Sequence, residues 1–349
     1  MKTRTAGRWG AVAALSALLV VAFQVAPASA CVCGVVTPDS DAKARVSATE
    51  AIVRWDGNHE VIDLAIAIDS DAASAGLIFP TPRPATVTAG DPDLFDAVRE
   101  QAEPDVTIVD DWWGLGVEGQ SPEPEEPVVL DTVRIGKLSA TTLEASDSSG
   151  LGAWLKKNDY SISNAARDAL RSYVDKGWSF VAVKLTDAPK KGEKEPAPLR
   201  GQLEPISIAF SSNELVYPMR VSGVSQAPQD MRLYVFDDHR VVLSQDDSPS
   251  KPVNAAQTTV WAGAVDKTKL SSLGDFLTVF DLHLDDPKSQ SRSDLVVTDA
   301  RADEEFIPSL VLANPITLLG IPVGLIVVGW GGFGLILGLA FITSRLRLR

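Results

Sequence analysis

Cysteine is almost missing from this 349-residue chain: Cys31 and Cys33 are the whole supply. No cystine framework staples it, so its stability has to come from burial. Histidine is nearly as scarce, with only His59, His239 and His283. The usual catalytic fingerprints are missing too: there is no Gly-X-Ser-X-Gly, no P-loop and no dinucleotide-binding glycine motif. Paired acids recur, at Asp110-Asp111, Asp237-Asp238, Asp246-Asp247, Asp285-Asp286 and Asp303-Glu304-Glu305. None has the alternating spacing and central glycine of a calcium loop. Basic charge is in deficit as well. With the chain at −14 and each end carrying +3 without acids, residues 31–310 hold −20. Such a surface repels phosphates, and nucleic acid does not fit as a partner.

In one place charge vanishes altogether. From Ile316 to Ile342 run 27 uncharged residues, against the ~20 needed to cross a hydrocarbon core. A continuous helix of that length would be roughly 40 Å long, so tilt or a kink near Pro322 is expected. Arg345, Arg347 and Arg349 follow without acids, which places that end in the cytoplasm. The other end has the layout of a secretory leader. Lys2, Arg4 and Arg8 precede an apolar stretch from Ala11 to Phe23, and Ala28 and Ala30 set small side chains before Cys31. The expectation is a leader over 1–30, an extracytoplasmic domain over 31–310, a transmembrane helix over 316–342 and a basic tail over 343–349. The protein then sits in the cell membrane by a single pass, its bulk outside and its C-terminus inside.

Within the ectodomain, Pro-rich charged stretches at 119–127, 187–198 and 245–252 read as exposed loops. The second is a candidate boundary between two lobes. Between these loops the dominant pattern is strand. Glu50–Trp55 and Val61–Ile68 flank Asp56-Gly57-Asn58 as a hairpin, with Ile62, Leu64, Ile66 and Ile68 on one half-buried face. Trp178–Leu185 is apolar on both faces until Lys184, as a central strand would be. Ile206–Phe210, Leu215–Val221, Met231–Phe236, Thr258–Val265 and Phe276–Leu284 continue the β pattern. Helices are expected at Asp93–Ala102, Leu151–Lys157 and Asn164–Lys176, the last with Ser163 as N-cap and Gly177 as its stop. Leu77-Ile78-Phe79-Pro80 is echoed by Leu215-Val216-Tyr217-Pro218. The fold expected is α+β: a β-rich ectodomain with a helical segment, plus one C-terminal transmembrane helix.

Several of these stretches together resemble a bacterial family known as domain of unknown function 2330. They are Leu151 to Tyr160, the following helix to Val174, and Gly177-Trp178 to Leu185. Gly201 to Ile206, Glu214 to Arg220, the Cys33-Gly34 pair and Phe79-Pro80 add to the match. The resemblance covers about residues 31–300. Asn158-Asp159-Tyr160 departs from the family's Asn-Gly-Tyr, a turn that Asp tolerates. The resemblance implies an exported, often membrane-anchored bacterial protein, and implies no activity.

Candidate sites are few. On one strand Asp281, His283 and Asp285 share a face, a set that suits a hard cation or an acid/base pair. Cys31 and Cys33 are a thiol pair, but no further zinc ligands stand at motif spacing. Trp112 and Trp113 are candidates for an exposed aromatic patch that would suit a sugar. In the uncharged run Gly320 and Gly324, then Gly334 and Gly338, have the spacing of a close helix contact, with a homodimer or a membrane protein as partner. No cofactor or ligand is specified by the sequence. The functional expectation is a cell-envelope binding or interaction module. The rival is an envelope enzyme, either a metal-assisted hydrolase or a thiol oxidoreductase.

Overall fold

The computed structural model describes residues 29–31, 34–38, 44–71, 73–113, 115, 139–144, 152, 162–186, 198–225, 227–245, 256–265, 270, 272–318 and 321–328. The leader as far as residue 28, Cys33, the expected helix Leu151–Lys157 apart from Gly152, most of the three loops and the uncharged run beyond Val328 lie outside the described residues.

Two short strands, β1 (Ser29–Cys31) and β2 (Gly34–Pro38), precede a long hairpin of β3 (Ala44–Trp55) and β4 (His59–Ser70). Gly57, at φ 94°, supplies the turn that Asp-Gly favours. Asp56 fixes it by accepting from the amides of Asn58 and His59 at 2.9 and 2.7 Å. Next come β5 (Ser74–Thr81), β6 (Thr86–Ala89), helix α1 (Pro92–Gln101), β7 (Asp105–Asp111) and β8 (Ser139–Glu144). Helix α2 (Asn164–Asp175) is capped by Ser163, which accepts from the Ala166 amide at 3.1 Å. Gly177, at φ 71°, ends it in the left-handed region. After β9 (Ser179–Thr186) come β10 (Arg200–Gln202), β11 (Ile206–Ser211) and β12 (Val216–Tyr217). The order closes with β13 (Gln229–Asp237), β14 (Val241–Gln245), β15 (Ala256–Ala264), β16 (Phe276–Leu284), β17 (Leu295–Asp299), β18 (Ser309–Pro315), β19 (Thr317–Leu318) and β20 (Ile321–Pro322).

Strand alternation sorts these elements into four layers. The main sheet runs β15-β16-β13-β3-β4-β11-β6, with β10 also paired to β4. Strands from both sides of residues 187–198 interleave in it. A five-stranded sheet, β1-β2-β5-β9-β8, packs on one face. Leu77, Phe79, Val181 and Val183 point from it into a core shared with Ile62, Leu64, Ile66, Ile68, Leu233 and Val235. Their sequence neighbours Ile78 and Phe180 face the other way, onto Ala166, Leu170 and Tyr173 of α2. On the far face of the main sheet Ile52, Ala65, Tyr234, Phe236 and Val279 are covered by Phe95 and Val98 of α1. The order α2, sheet, sheet, α1 covers the apolar faces of the main and the five-stranded sheets. The two echoed motifs meet in the middle: Phe79 and Tyr217 pack edge to face, centroids 6.0 Å apart.

Three expectations change. The second arm of the hairpin is not half-buried, because Ala65 and Asp63 on its other face are also covered, Ala65 by the α1 cluster. The strand expected over Leu215–Val221 stops at Tyr217 and gives way to a 3₁₀ turn over Arg220–Val224. Pro218 has no amide to give, and the amides of Met219 and Arg220 bond to the Asp294 carboxylate instead of a neighbouring strand. Nor does the uncharged run open as a helix. It begins with the β19–β20 pair, and helical residues start only at Val323. Pro322 cannot donate within a helix but suits its first turn, so the helical start falls immediately after it. Among the described residues no helix is long and apolar enough to cross a membrane.

Candidate functional site

On the α1 side, the main sheet changes along its strands from apolar to charged. Register places Glu50 of β3 beside Arg232 of β13, and Arg232 beside Asp281 of β16. Arg232 grips Asp281 with a two-pronged bond, Nε to Oδ1 at 2.7 Å and Nη2 to Oδ2 at 2.8 Å. Glu50 accepts from Arg99 of α1 through both oxygens and from the Tyr234 hydroxyl at 3.1 Å. Burial, then the Glu50 charge, pushes the Tyr234 phenol up, so it stays protonated. Two residues along, Asp230 stands opposite His283. His283 Nδ1 meets Asp230, and Nε2 meets Asp285 at 3.0 Å.

The triad expected from β16 is thus only partly assembled. His283 and Asp285 are together, whereas Asp281 is taken by Arg232 and a carboxylate from the neighbouring strand, Asp230, completes the histidine's surroundings. Asp230 carries no signal in the sequence, because only strand register brings it there. With both ring nitrogens facing carboxylates, the doubly donating imidazolium is favoured, and neither nitrogen is left facing an open metal position. Among the described residues no group of three or more His, Cys, Asp and Glu side chains is arranged to hold a metal ion.

The Asp230 hydrogen bond, followed by its charge and Asp285, raises the His283 pKa above its ordinary 6.5. A raised pKa means that this contribution to stability is complete below the unfolded value and disappears as pH climbs through the folded one. Since all three side chains are largely exposed, the stability at stake is small. An NMR titration should place the imidazole midpoint above 6.5, and Asp230→Asn should bring it down. A midpoint that ignores this substitution would show that the ion pair does not form.

The remaining candidates fall elsewhere. His59 and His239 occupy exposed turns beside Asp56 and Asp303. Cys31 closes β1, and its pairing with Cys33 lies outside the described residues, as do Gly320, Gly334 and Gly338. Trp112 and Trp113 are both half-exposed at the end of β7. Gly324 packs against them: a Cβ there would lie 2.7 Å from the Trp112 carbonyl and 2.7 Å from the Trp113 ring.

The most densely bonded carboxylate escapes sequence reasoning. Asp294, fully buried just before β17, accepts from the Tyr173 hydroxyl, from the amides of Met219 (3.0 Å) and Arg220 (3.3 Å), and from Arg220 Nε at 3.1 Å. Lys176 Nζ adds a contact at 3.3 Å. It pins α2, the 3₁₀ turn and β17 together. Burial first, then the Asp294 charge, pushes the Tyr173 phenol well up. Every donor converges on one acid with no exposed surface, so the arrangement is structural.

A layered α–β–β–α protein with an internally neutralised polar face is the class that these features define. The chain belongs to the family described as an uncharacterized protein conserved in bacteria (DUF2330), whose model matches residues 27–298. Among curated proteins nothing matches. Similar solved structures include a mutated baculovirus P35 after caspase cleavage, 11% identical over 74% of this chain and 98% of that one, with a TM-score of 0.32. The caspase-8/P35 complex is similar at 10% identity, over 74% and 94%, with a TM-score of 0.31. Likeness at that level carries no functional argument.

Proposed function

We propose that the chain is a membrane-anchored extracytoplasmic binding or interaction module of the bacterial cell envelope. The observation that carries the reading is the uncharged run, which leaves the folded domain at β18 and ends at Arg345, Arg347 and Arg349. With its start moved to Val323, the span is 20 residues to Ile342. As a helix that is ~30 Å, the thickness of the hydrocarbon core, so the mismatch of a longer helix disappears. The −20 of residues 31–310 favours partners with basic surfaces over phosphate polymers. The enzyme reading has less support, because the carboxylates around His283 and Glu50 are already engaged by internal cations and hydroxyls.

Protease added to intact spheroplasts should digest the ectodomain and spare a tag placed after Arg349. Protection of the ectodomain with loss of the tag would reverse the topology and end the proposal. Replacing His283 and both cysteines should leave partner binding unchanged.

A further inference from the structure

The surface that this function leaves unexplained is the two-stranded ribbon of β7 and β18. Its strands run parallel and in register, from Asp105 beside Ser309 to Asp111 beside Pro315. The pairing sets Val106 beside Leu310 and Ile108 beside Leu312, an apolar stripe of which Val106 and Ile108 are 54% and 66% exposed. At its far end β7 is tied to the start of the uncharged run. Ile316 donates its amide to the Asp111 carbonyl at 3.0 Å, and Gly324 donates to the Trp112 carbonyl at 2.7 Å. The Trp113 amide is held by Asp111 Oδ1 at 3.0 Å, which fixes the direction in which the pair leaves the strand.

We infer that Trp112 and Trp113 are an interfacial anchor, seated in the boundary layer of the lipid bilayer at the level of the first turn of the span. This rests on the anchored topology proposed above. Three observations converge on it. First, the pair touches Gly324, the second residue of the 20-residue stretch whose helical length matches the hydrocarbon core. The tryptophans therefore stand where the chain enters lipid. Second, the start of the uncharged run exposes apolar side chains: Leu318, Ile321, Leu325, Val327 and Val328 are all at least half exposed, and Val106 and Ile108 of β7 continue the apolar surface. Asp110 and Asp111 immediately precede the pair in the chain. Third, indole combines a large apolar body with one N–H donor, a combination that favours the headgroup boundary over either bulk phase. Gly324 is required for close approach, since any side chain there would displace the Trp113 ring. A span alone leaves a domain free to swivel. A second chain segment, clipped to its first turn and resting in the same layer, fixes which face of the domain looks at the membrane.

Fluorescence quenching tests this on the full chain in liposomes containing nitroxide lipids, the nitroxide being either shallow, near the headgroup, or deep, near the bilayer centre. Trp330, in the middle of the uncharged run, reports insertion through the deep quencher. In a Trp330→Phe background the shallow quencher should dim the emission, and Trp112→Phe with Trp113→Phe should remove most of that sensitivity. Gly324→Leu should weaken it in that background, and in the chain that keeps Trp330 should leave the deep quenching intact. Shallow quenching that persists without the pair, or is missing while Trp330 is quenched, overturns the inference and leaves the topology standing. Absence of deep quenching of Trp330 overturns both. A fluorescence response of the pair to soluble glycan fragments, without any to lipid, would assign it to a sugar and overturn the inference.

Discussion

Replacing Asp294 with alanine is expected to destabilise the ectodomain by about 3–5 kcal/mol, the usual loss when one partner of a buried charge pair is removed. The reason lies in what stays behind. Arg220, little exposed, loses the carboxylate at its Nε, the Met219 amide loses its acceptor, and the Arg220 amide keeps only the Tyr173 hydroxyl at 3.2 Å. The Tyr173 hydroxyl, buried against α2, loses its acceptor as well. For a domain of this size the fall in Tm should be on the order of 10 °C. Tyr173→Phe removes one charge-assisted hydrogen bond and should cost less, roughly 1.5–3 kcal/mol. The double variant should cost less than the sum, since both changes act on one network. Thermal unfolding of the three variants checks this. An Asp294→Ala protein melting within about 2 °C of the parent, a shift of about 1 kcal/mol or less, would show that the network does not hold the layers together.

Why this residue went unnoticed in the sequence, while the hairpin did not, follows from what each depends on. The pattern Ile62, Leu64, Ile66, Ile68 is local: period two over neighbouring residues, with Asp56-Gly57 to close the turn. Helix α2 is local in the same sense, fixed by Ser163, an apolar stripe and Gly177. Asp294 sits in Ser293-Asp294-Leu295 and looks like any loop acid. Its meaning comes from Met219, Arg220 and Tyr173, which only the fold delivers. The paired acids drew attention by their density, yet density marks solvated loops, and the acid that matters stands alone.

The same limit applies to the ribbon and to the histidine. β7 and β18 pair across some two hundred residues of sequence, and neither has the alternation of a half-buried strand, because both are largely exposed. His283 was legible as a candidate through Asp285 on its own strand. Asp230 was not, since a cross-strand neighbour requires the register. The uncharged run was legible as apolar but not as to where a helix begins. Pro322 carried that information, as the first residue that tolerates a helix start.

Glu60 offers the sharpest test of the inner core. It is the second residue of β4, on the face that points between the two sheets, with no exposed surface. One oxygen accepts from the Val216 amide at 3.2 Å, and the other has no hydrogen-bond partner. The hydroxyl of Tyr217, next in sequence to Val216, is also buried and without a hydrogen-bond partner. Burial therefore raises the Glu60 pKa well above 4.5, the Val216 amide opposing and the nearby Glu214 charge adding to it. Burial thus favours the neutral acid in the fold, while the unfolded chain ionises it at its ordinary pKa. A raised folded pKa means that its contribution is whole below about pH 4.5 and is lost as pH rises through the folded value. Glu60→Gln keeps the acceptor for Val216 and has no proton to lose. The variant should gain stability relative to the parent as pH increases from 5 to about 8, the unfolded parent being the form that releases the proton. Comparing the two proteins at each pH cancels the titrations of His283 and His239, whose raised pKa values make both proteins lose stability in the same direction as pH rises. A stability difference that stays flat across the range would mean that Glu60 is ionised in the fold, although its strand neighbours are Trp55 and Phe210 and the nearby charge is another acid, Glu214.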